Sequence, residues 1–394
     1  MNTPRGWKLI EFGELVNLLA ARPNNSSSGV GPKCVELEHV EANTGRLIGW
    51  REGNGEFSSK VSFTSGDVLF GKLRPYLRKA WLATFSGVCT SEFWVFKSVD
   101  EKCDRRFLRQ LTLSSRFAAA TNASSGSKMP RADWSFVSEF PFLIPPLFEQ
   151  RKIAEIMECH DSAIDKTRSL LVENIQRKQG LMLQLLTGKI RFKKYEKESW
   201  RAVQIGDLLA ECDRYVNWSD DTAYRFASIR RRSGGLFDRG TFYGREVKTK
   251  VLKLINAGDF LISKRQVVHG AWAMVPKAFD GFGVSDEYDV LVNRDANVLD
   301  MRFFNYLSQT RRLWHMAYLA SNGVHIEKLI FNFDDFAKEK LKIPPTMAEQ
   351  EKIADVLSAC DREIELLQKH LEAFKEQKRG LMHKLLTGEV RVKS

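Results

Sequence analysis

Clustered cations, with one glutamine beside them, are the residues of this chain whose types and spacing could do chemistry. Lys72, Arg74, Arg78 and Lys79 lie close together, Arg230, Arg231 and Arg232 are consecutive, and Lys264 and Arg265 precede Gln266. Lysine and arginine in such groups bind phosphates by releasing condensed counterions. Arginine and glutamine can also read base edges through two bonds at once, which singles out Arg74, Arg265 and Gln266 for sequence-specific contact. Two small polar segments stand at matching places further along, residues 121–128 with Ser125, Gly126 and Lys128, and residues 320–325 with Asn322 and Gly323. Their backbone amides could hold a phosphate, or they could be plain loops. The net charge of +12 and pI near 9.3 favour a polyanionic partner.

Patterns for bond-making chemistry are missing. An amino-methyltransferase motif would set Asn or Asp before Pro-Pro and an aromatic after it. Here Pro145-Pro146 follows Ile144 and precedes Leu147, and Pro344-Pro345 follows Ile343 and precedes Thr346. A phosphate-binding loop around Thr187-Gly188-Lys189 would need glycine where Leu183 stands. The six cysteines, Cys34, Cys89, Cys103, Cys159, Cys212 and Cys360, form no C-x-x-C pair and read as reduced structural thiols. No catalytic, cofactor-binding or metal-ligating residue is assigned. Without a signal-peptide core or a membrane-length apolar run, the expected location is the cytoplasm.

These side chains must be positioned by an internal repeat. The stretch from Ile144 returns from Ile343 across about fifty residues, and Glu149-Gln150 recurs as Glu349-Gln350 at an offset of 200 that persists to Leu185-Leu186-Thr187-Gly188 and Leu385-Leu386-Thr387-Gly388. Residues 7–15 resemble residues 200–208, and residues 66–72 parallel residues 258–264. Between these marks the copies diverge, so similar scaffolds carry different surfaces.

Apolar positions in each long repeat step alternately by four and three, from Ile353 and Leu357 to Leu381 and Leu385, and more polar from Ile153 and Met157 through Asn174 to Leu185. That spacing predicts a coiled-coil seam. Proline pairs suit helix starts just downstream, and Gly188 and Gly388 suit C-terminal caps. About forty residues make a rod of roughly 60 Å. Gly180 and Gly380 lie inside the pattern despite a helix cost near 1 kcal/mol, which suggests close approach of another chain. Short apolar runs around residues 61–63, 67–70 and 92–96 read as strands, and residues 107–120 and 301–320 as helices. The predicted fold class is α+β: two similar α/β domains, residues 1–146 and 191–345, joined by long helices in residues 147–190 and 346–394 that pack as an antiparallel coiled coil with pseudo-twofold symmetry.

Taken together, these residues resemble the Type I restriction-modification specificity subunit family over essentially the whole chain. The motifs that carry the resemblance are I-P-P-x-x-E-Q-x-K-I-A at residues 144–154 and, with one extra residue, 343–354; the L-L-T-G end of each helix; and G-D-V-L-F-G-K-L-R-P-Y-L at residues 66–77. The second copy departs from this last segment after Ser263, lacking Arg-Pro-Tyr. The resemblance implies a non-catalytic reader in which each domain recognises half of a split double-stranded DNA site and the helices set the unread gap. It also implies two modification subunits that carry S-adenosylmethionine and methylate adenine N6, and restriction subunits driven by ATP with Mg. Docking of those partners is expected on the helices, with Gln150, Lys152, Gly180, Gln350, Lys352 and Gly380 as candidates. A different class of function, a coiled-coil scaffold with two protein-binding repeats, also fits the heptads.

Overall fold

The computed structural model describes residues 4–20, 32–52, 60–123 and 129–392. The chain divides into two units, residues 1–169 with 368–394, and residues 170–367. Each takes the start of one long helix and the end of the other, because the helices run from Leu147 to Leu185 and from Met347 to Thr387.

In the first unit a four-stranded antiparallel sheet has the order Val16–Leu19, Phe93–Ser98, Val68–Gly71, Ala80–Leu82. All four residues of Val68–Gly71 are buried, as a continuous apolar run predicts for a strand covered on both faces. Alternation of side chains explains the two cores. Val68 and Phe70 join the core built with Phe107, Phe117 and the helix residues Ile153, Met157 and Leu385, whereas Leu69 packs with Val35, Phe63 and Trp81. That second core is closed by a sheet of order Arg51–Glu52, Lys33–Val35, Gly87–Thr90, Lys60–Phe63, whose middle pair is parallel. Lys8–Glu11 pairs with Pro141–Ile144, tying the start of the unit to the strand that leads into the helix.

The second unit repeats this topology. Its main sheet runs Leu209–Glu211, Tyr288–Asn293, Phe260–Ser263, Trp272–Met274, and its second sheet Leu236–Tyr243, Ala223–Ile229, Phe282–Val284, Lys253–Ile255, again with a parallel middle pair. Arg201–Gln204 pairs with Lys340–Ile343.

The expected single helices over residues 107–120 and 301–320 are each broken in two. Arg105–Leu113 is capped by Asp104 and followed by Ser115–Ala123, with the Ser114 hydroxyl accepting from the Phe117 amide. Met301–Leu307, capped by Asp300, is followed by Arg311–Leu319, capped by Thr310. Hydroxyl side chains that satisfy new N-terminal amides make such interruptions favourable, and apolar spacing is blind to them.

Within each unit the two helix segments lie side by side. Asp161 bonds Lys378 at 2.5 Å in the first, and Lys178 meets Asp361 at 2.6 Å in the second, where Arg177 also pairs with Glu363. Seam positions Met157, Thr167, Leu357 and Cys360 are buried while Val172 and Leu366 are exposed. Among the described residues no helix is long and apolar enough to cross a membrane.

Candidate nucleic-acid interface

In the first unit the buried strand Val68–Gly71 delivers a turn that begins at Lys72. The Lys72 amide donates to Glu92 O (2.9 Å) and its carbonyl accepts from Ala132 N (2.9 Å), while Arg74 N donates to Pro130 O (2.7 Å). The turn is therefore seated against residues 130–132, just downstream of Ser125, Gly126 and Lys128, which lie outside the described residues. Arg74 and Arg78 bracket the single 3-10 turn Pro75–Leu77 with φ of +53° and +46°. Left-handed backbone at two non-glycine residues is uncommon and requires support from the surroundings. Among the described residues the Lys72, Arg74 and Arg78 head groups have no hydrogen-bond or ion-pair partner. Arg78 lines a cleft of about 740 Å³ with Arg168 and Arg379. Lys79 departs from the expectation of phosphate contact. Its ammonium donates to Leu37 O at 2.6 Å, and burial lowers its pKa against the opposing pull of Glu38.

The second unit brings its three candidate groups together. Arg230, Arg231 and Arg232 occupy the turn between Ala223–Ile229 and Leu236–Tyr243, and this turn is docked by Arg232 N to His269 O (2.7 Å) and Ser233 N to Gly270 O (2.8 Å). Residues 264–266 leave the end of Phe260–Ser263 and lead into the same 3-10 turn, Val267–His269. Ser321–Asn322 pairs with Ile330–Phe331 in a small hairpin, and Phe331 N donates to Lys264 O (3.0 Å). Asn322 and Gly323 are thus part of a paired hairpin.

The head groups there are unequally available. Arg231 is exposed and unpaired among the described residues. Arg230 stacks over Phe237 at 4.8 Å and donates to Leu236 O. Arg265 pairs with Glu287 at 2.7 Å, with both side chains more than half exposed, and Lys264 sits 3.4 Å from Asp289, whose pKa burial raises. The Gln266 amide oxygen is buried without a partner among the described residues, so it does not face solvent.

The helix entries correct the docking expectation for two residues. Gln150 is 1% exposed and Gln350 wholly buried. Gln150 accepts from Asp104 N (2.8 Å) and donates to Lys102 O and Pro145 O. Gln350 repeats this with Asp300 N (3.0 Å), Val298 O and Pro344 O. Both amides are spent inside the fold, fastening a long helix to a short one, so neither is a docking surface. Lys152 is exposed and pairs with Glu155, and Lys352 lies over Phe192 at 4.7 Å. A methyl group added at Gly180 or Gly380 would meet nothing described within 4 Å apart from its own stretch of helix backbone, which leaves those helix faces open.

Sequence reasoning missed the adjacent acids. Glu149 is buried and accepts from Trp7 Nε1 (3.0 Å) and from Arg391; Glu349 is buried and accepts from Trp200 Nε1 (3.4 Å) and Arg191. The signal was present in the repeat, where Glu149 and Arg191 recur as Glu349 and Arg391 at one offset and Trp7 has its counterpart in Trp200, although none lies on the apolar seam. Among the described residues no group of three or more His, Cys, Asp or Glu is placed to hold a metal ion.

Residues 4–174 and 197–376 match the family described as Type I restriction modification DNA specificity domain. Among curated relatives, the Type I restriction enzyme EcoDI specificity subunit of Escherichia coli is 29% identical over 160 residues, which covers 39% of this chain and 35% of that protein. The Type I restriction enzyme MjaVIII specificity subunit of Methanocaldococcus jannaschii is 23% identical over 297 residues, 69% of this chain and 67% of that protein. The match thus spans about a third of the bacterial relative's length. Among solved structures, the HsdS subunit from Thermoanaerobacter tengcongensis aligns over 99% of both chains at a TM-score of 0.54 and 19% identity, a likeness of fold.

Proposed function

This chain belongs to the Type I restriction modification DNA specificity family, and we propose on that premise that it is the sequence reader of a restriction-modification complex. Each recognition domain, residues 1–146 and 191–345, reads one half of a bipartite double-stranded DNA site. The observation that carries the reading is that one strand order occurs twice, each time with a basic turn at the end of the buried central strand. Lys72 and Arg74 in the first unit and Arg231 and Arg265 in the second are the cations offered to phosphates and bases. The helices of residues 147–190 and 346–394 continue as an antiparallel coiled coil that fixes the unread gap, as half-sites on a helical duplex require.

Chemistry belongs to other chains. Two modification subunits, bearing S-adenosylmethionine, dock on the open helix faces at Gly180 and Gly380 with Lys152 and Lys352 nearby, and restriction subunits use ATP and Mg. The setting is the cytoplasm, where such a complex meets DNA.

Co-expression with the modification subunit, followed by long-read mapping of methylated adenines, tests this. A bipartite motif with a fixed gap is expected, and exchange of residues 1–143 for those of a relative should change one half only. Methylation without such a motif would overturn the reading and return the chain to the class of coiled-coil scaffolds.

A further inference from the structure

Resting on that reading, we propose that Val324, at the tip of the hairpin formed by Ser321–Asn322 and Ile330–Phe331, is a specificity-determining residue that meets a thymine methyl group in the major groove. With 86% of its surface exposed, Val324 is the most exposed large apolar side chain among the described residues. An aliphatic group held in water gains nothing for the isolated fold, since burial is what makes it stabilising.

Its position is built. The strands pair Ser321 with Phe331 and Asn322 with Ile330, and Asn332 N donates to Ala320 O at 2.8 Å. A Cβ at Gly323 would lie 2.6 Å from Lys328 O, so only glycine permits this crossing at the foot of the tip. Phe331, 3% exposed, roots the hairpin in the core of the second unit and bonds Lys264 O. The tip therefore rises from the loop cluster that also carries Arg231, Lys264 and Arg265, with Lys328 in the hairpin itself. Arg231 has no acidic partner there among the described residues, while Lys264 and Arg265 face Asp289 and Glu287; an aliphatic group projecting beside such an open cation matches a groove in which phosphates flank a methyl. The thymine C5-methyl is the apolar group that the major groove presents, and contact with it distinguishes A·T from the other pairs.

The experiment uses the complex with modification subunits and a duplex carrying the mapped site. Each thymine of the half-site assigned to residues 191–345 is replaced singly by deoxyuridine, which lacks only the methyl. One such replacement is expected to weaken binding roughly 4-fold, the worth of a buried methyl group. With Val324→Ser the complex should bind the unmodified site about 4-fold more weakly and lose sensitivity to uracil at that position, while Val324→Ile restores both. Thermal melting and co-purification of each variant check fold and assembly. Equal uracil sensitivity in wild type and V324S, or a half-site without thymine, would overturn the proposal while leaving the bipartite reading intact. Loss of co-purification with unchanged DNA binding would overturn it in favour of a protein contact. Absence of any bipartite motif would remove the underlying reading as well.

Discussion

Arg191 grips Glu349 through two parallel bonds, Nε to Oε1 at 2.9 Å and Nη2 to Oε2 at 2.7 Å, across 158 residues of chain. The arginine is delivered by the end of the first long helix. Gly188, at φ +69°, lets the chain reverse, with Gly188 N bonding back to Leu185 O and Ile190 N to Gln184 O so that the last helix carbonyls are satisfied. Gly388 at φ +74° and Val390 N to Lys384 O do the same ahead of Arg391, which pairs with Glu149. The L-L-T-G motif is therefore a device for aiming an arginine at a buried carboxylate.

Removing that carboxylate's charge strands the arginine. E349Q should destabilise the second unit by about 3 kcal/mol, the lower end for a broken buried pair. E149Q should cost less, because Arg391 is 38% exposed where Arg191 is 13%. Calorimetric midpoints of the two variants check the order; equal shifts would contradict it.

Asp161 bridges Arg109 (2.8 Å) and Lys378 (2.5 Å) inside the first unit. Burial pushes its carboxyl pKa up, but the two cations outweigh burial and hold it below its ordinary value of 3.8. A depressed folded pKa gives stability that is present above the ordinary value and lost as pH falls through the folded one. Wild type should thus lose stability as the pH is lowered below about 4. D161N should be less stable at pH 7 and show a shallower acid decline. Urea unfolding monitored between pH 7 and 3 reads both.

Arg74 and Lys79 are neighbours in sequence with different duties. R74A should lower DNA affinity and reduce the slope of log affinity against log salt by about 1, as loss of one phosphate contact does. K79M should leave that slope unchanged and lower the melting temperature, because Lys79 is bound to Leu37 O. Salt titrations of binding by the assembled complex separate the two.

Gly180 and Gly380 sit inside helices with open space above them. G180A and G380A should each stabilise the chain by about 0.8 kcal/mol through helix propensity. G180W and G380W should instead block co-purification of the modification subunit without lowering the melting temperature. Retained assembly with tryptophan at both positions would show that partners dock elsewhere.

Periodicity made the long helices legible, since a seam sustained from Ile353 to Leu385 has few other readings. The buried strand Val68–Gly71 was equally plain in its apolar run. Legibility failed where a polar side chain works inside the fold. Gln150 and Gln350 look like surface residues because glutamine usually is one; their burial depends on the amides of Asp104 and Asp300, far away in sequence. Lys79 misled in the same way. Ser114 and Thr310 start a second helix by accepting from the amides of Phe117 and Leu313, bonds that no apolar pattern records. Of the candidate interface, the cationic turns could be found from composition, but the meeting of the Arg232 turn with His269 and of Phe331 with Lys264 is tertiary.

The closing of each unit by the tail of the other copy's helix has a consequence for biosynthesis. Residues 170–367 form a continuous stretch, so the second unit holds all its parts once the ribosome has passed Leu367. The first unit waits. Trp7 and Glu149 are made early, yet Arg391 and Leu385, which shares a core with Ile153 and Met157, follow only after residues 170–367. At roughly 5–20 residues per second that delay is on the order of ten seconds or more. Through it the nascent first unit carries an uncapped carboxylate and a bare apolar groove, the kind of surface that molecular chaperones hold. The two fragments of the first unit are thus parted in synthesis by the whole of the second, whereas the second is made without interruption.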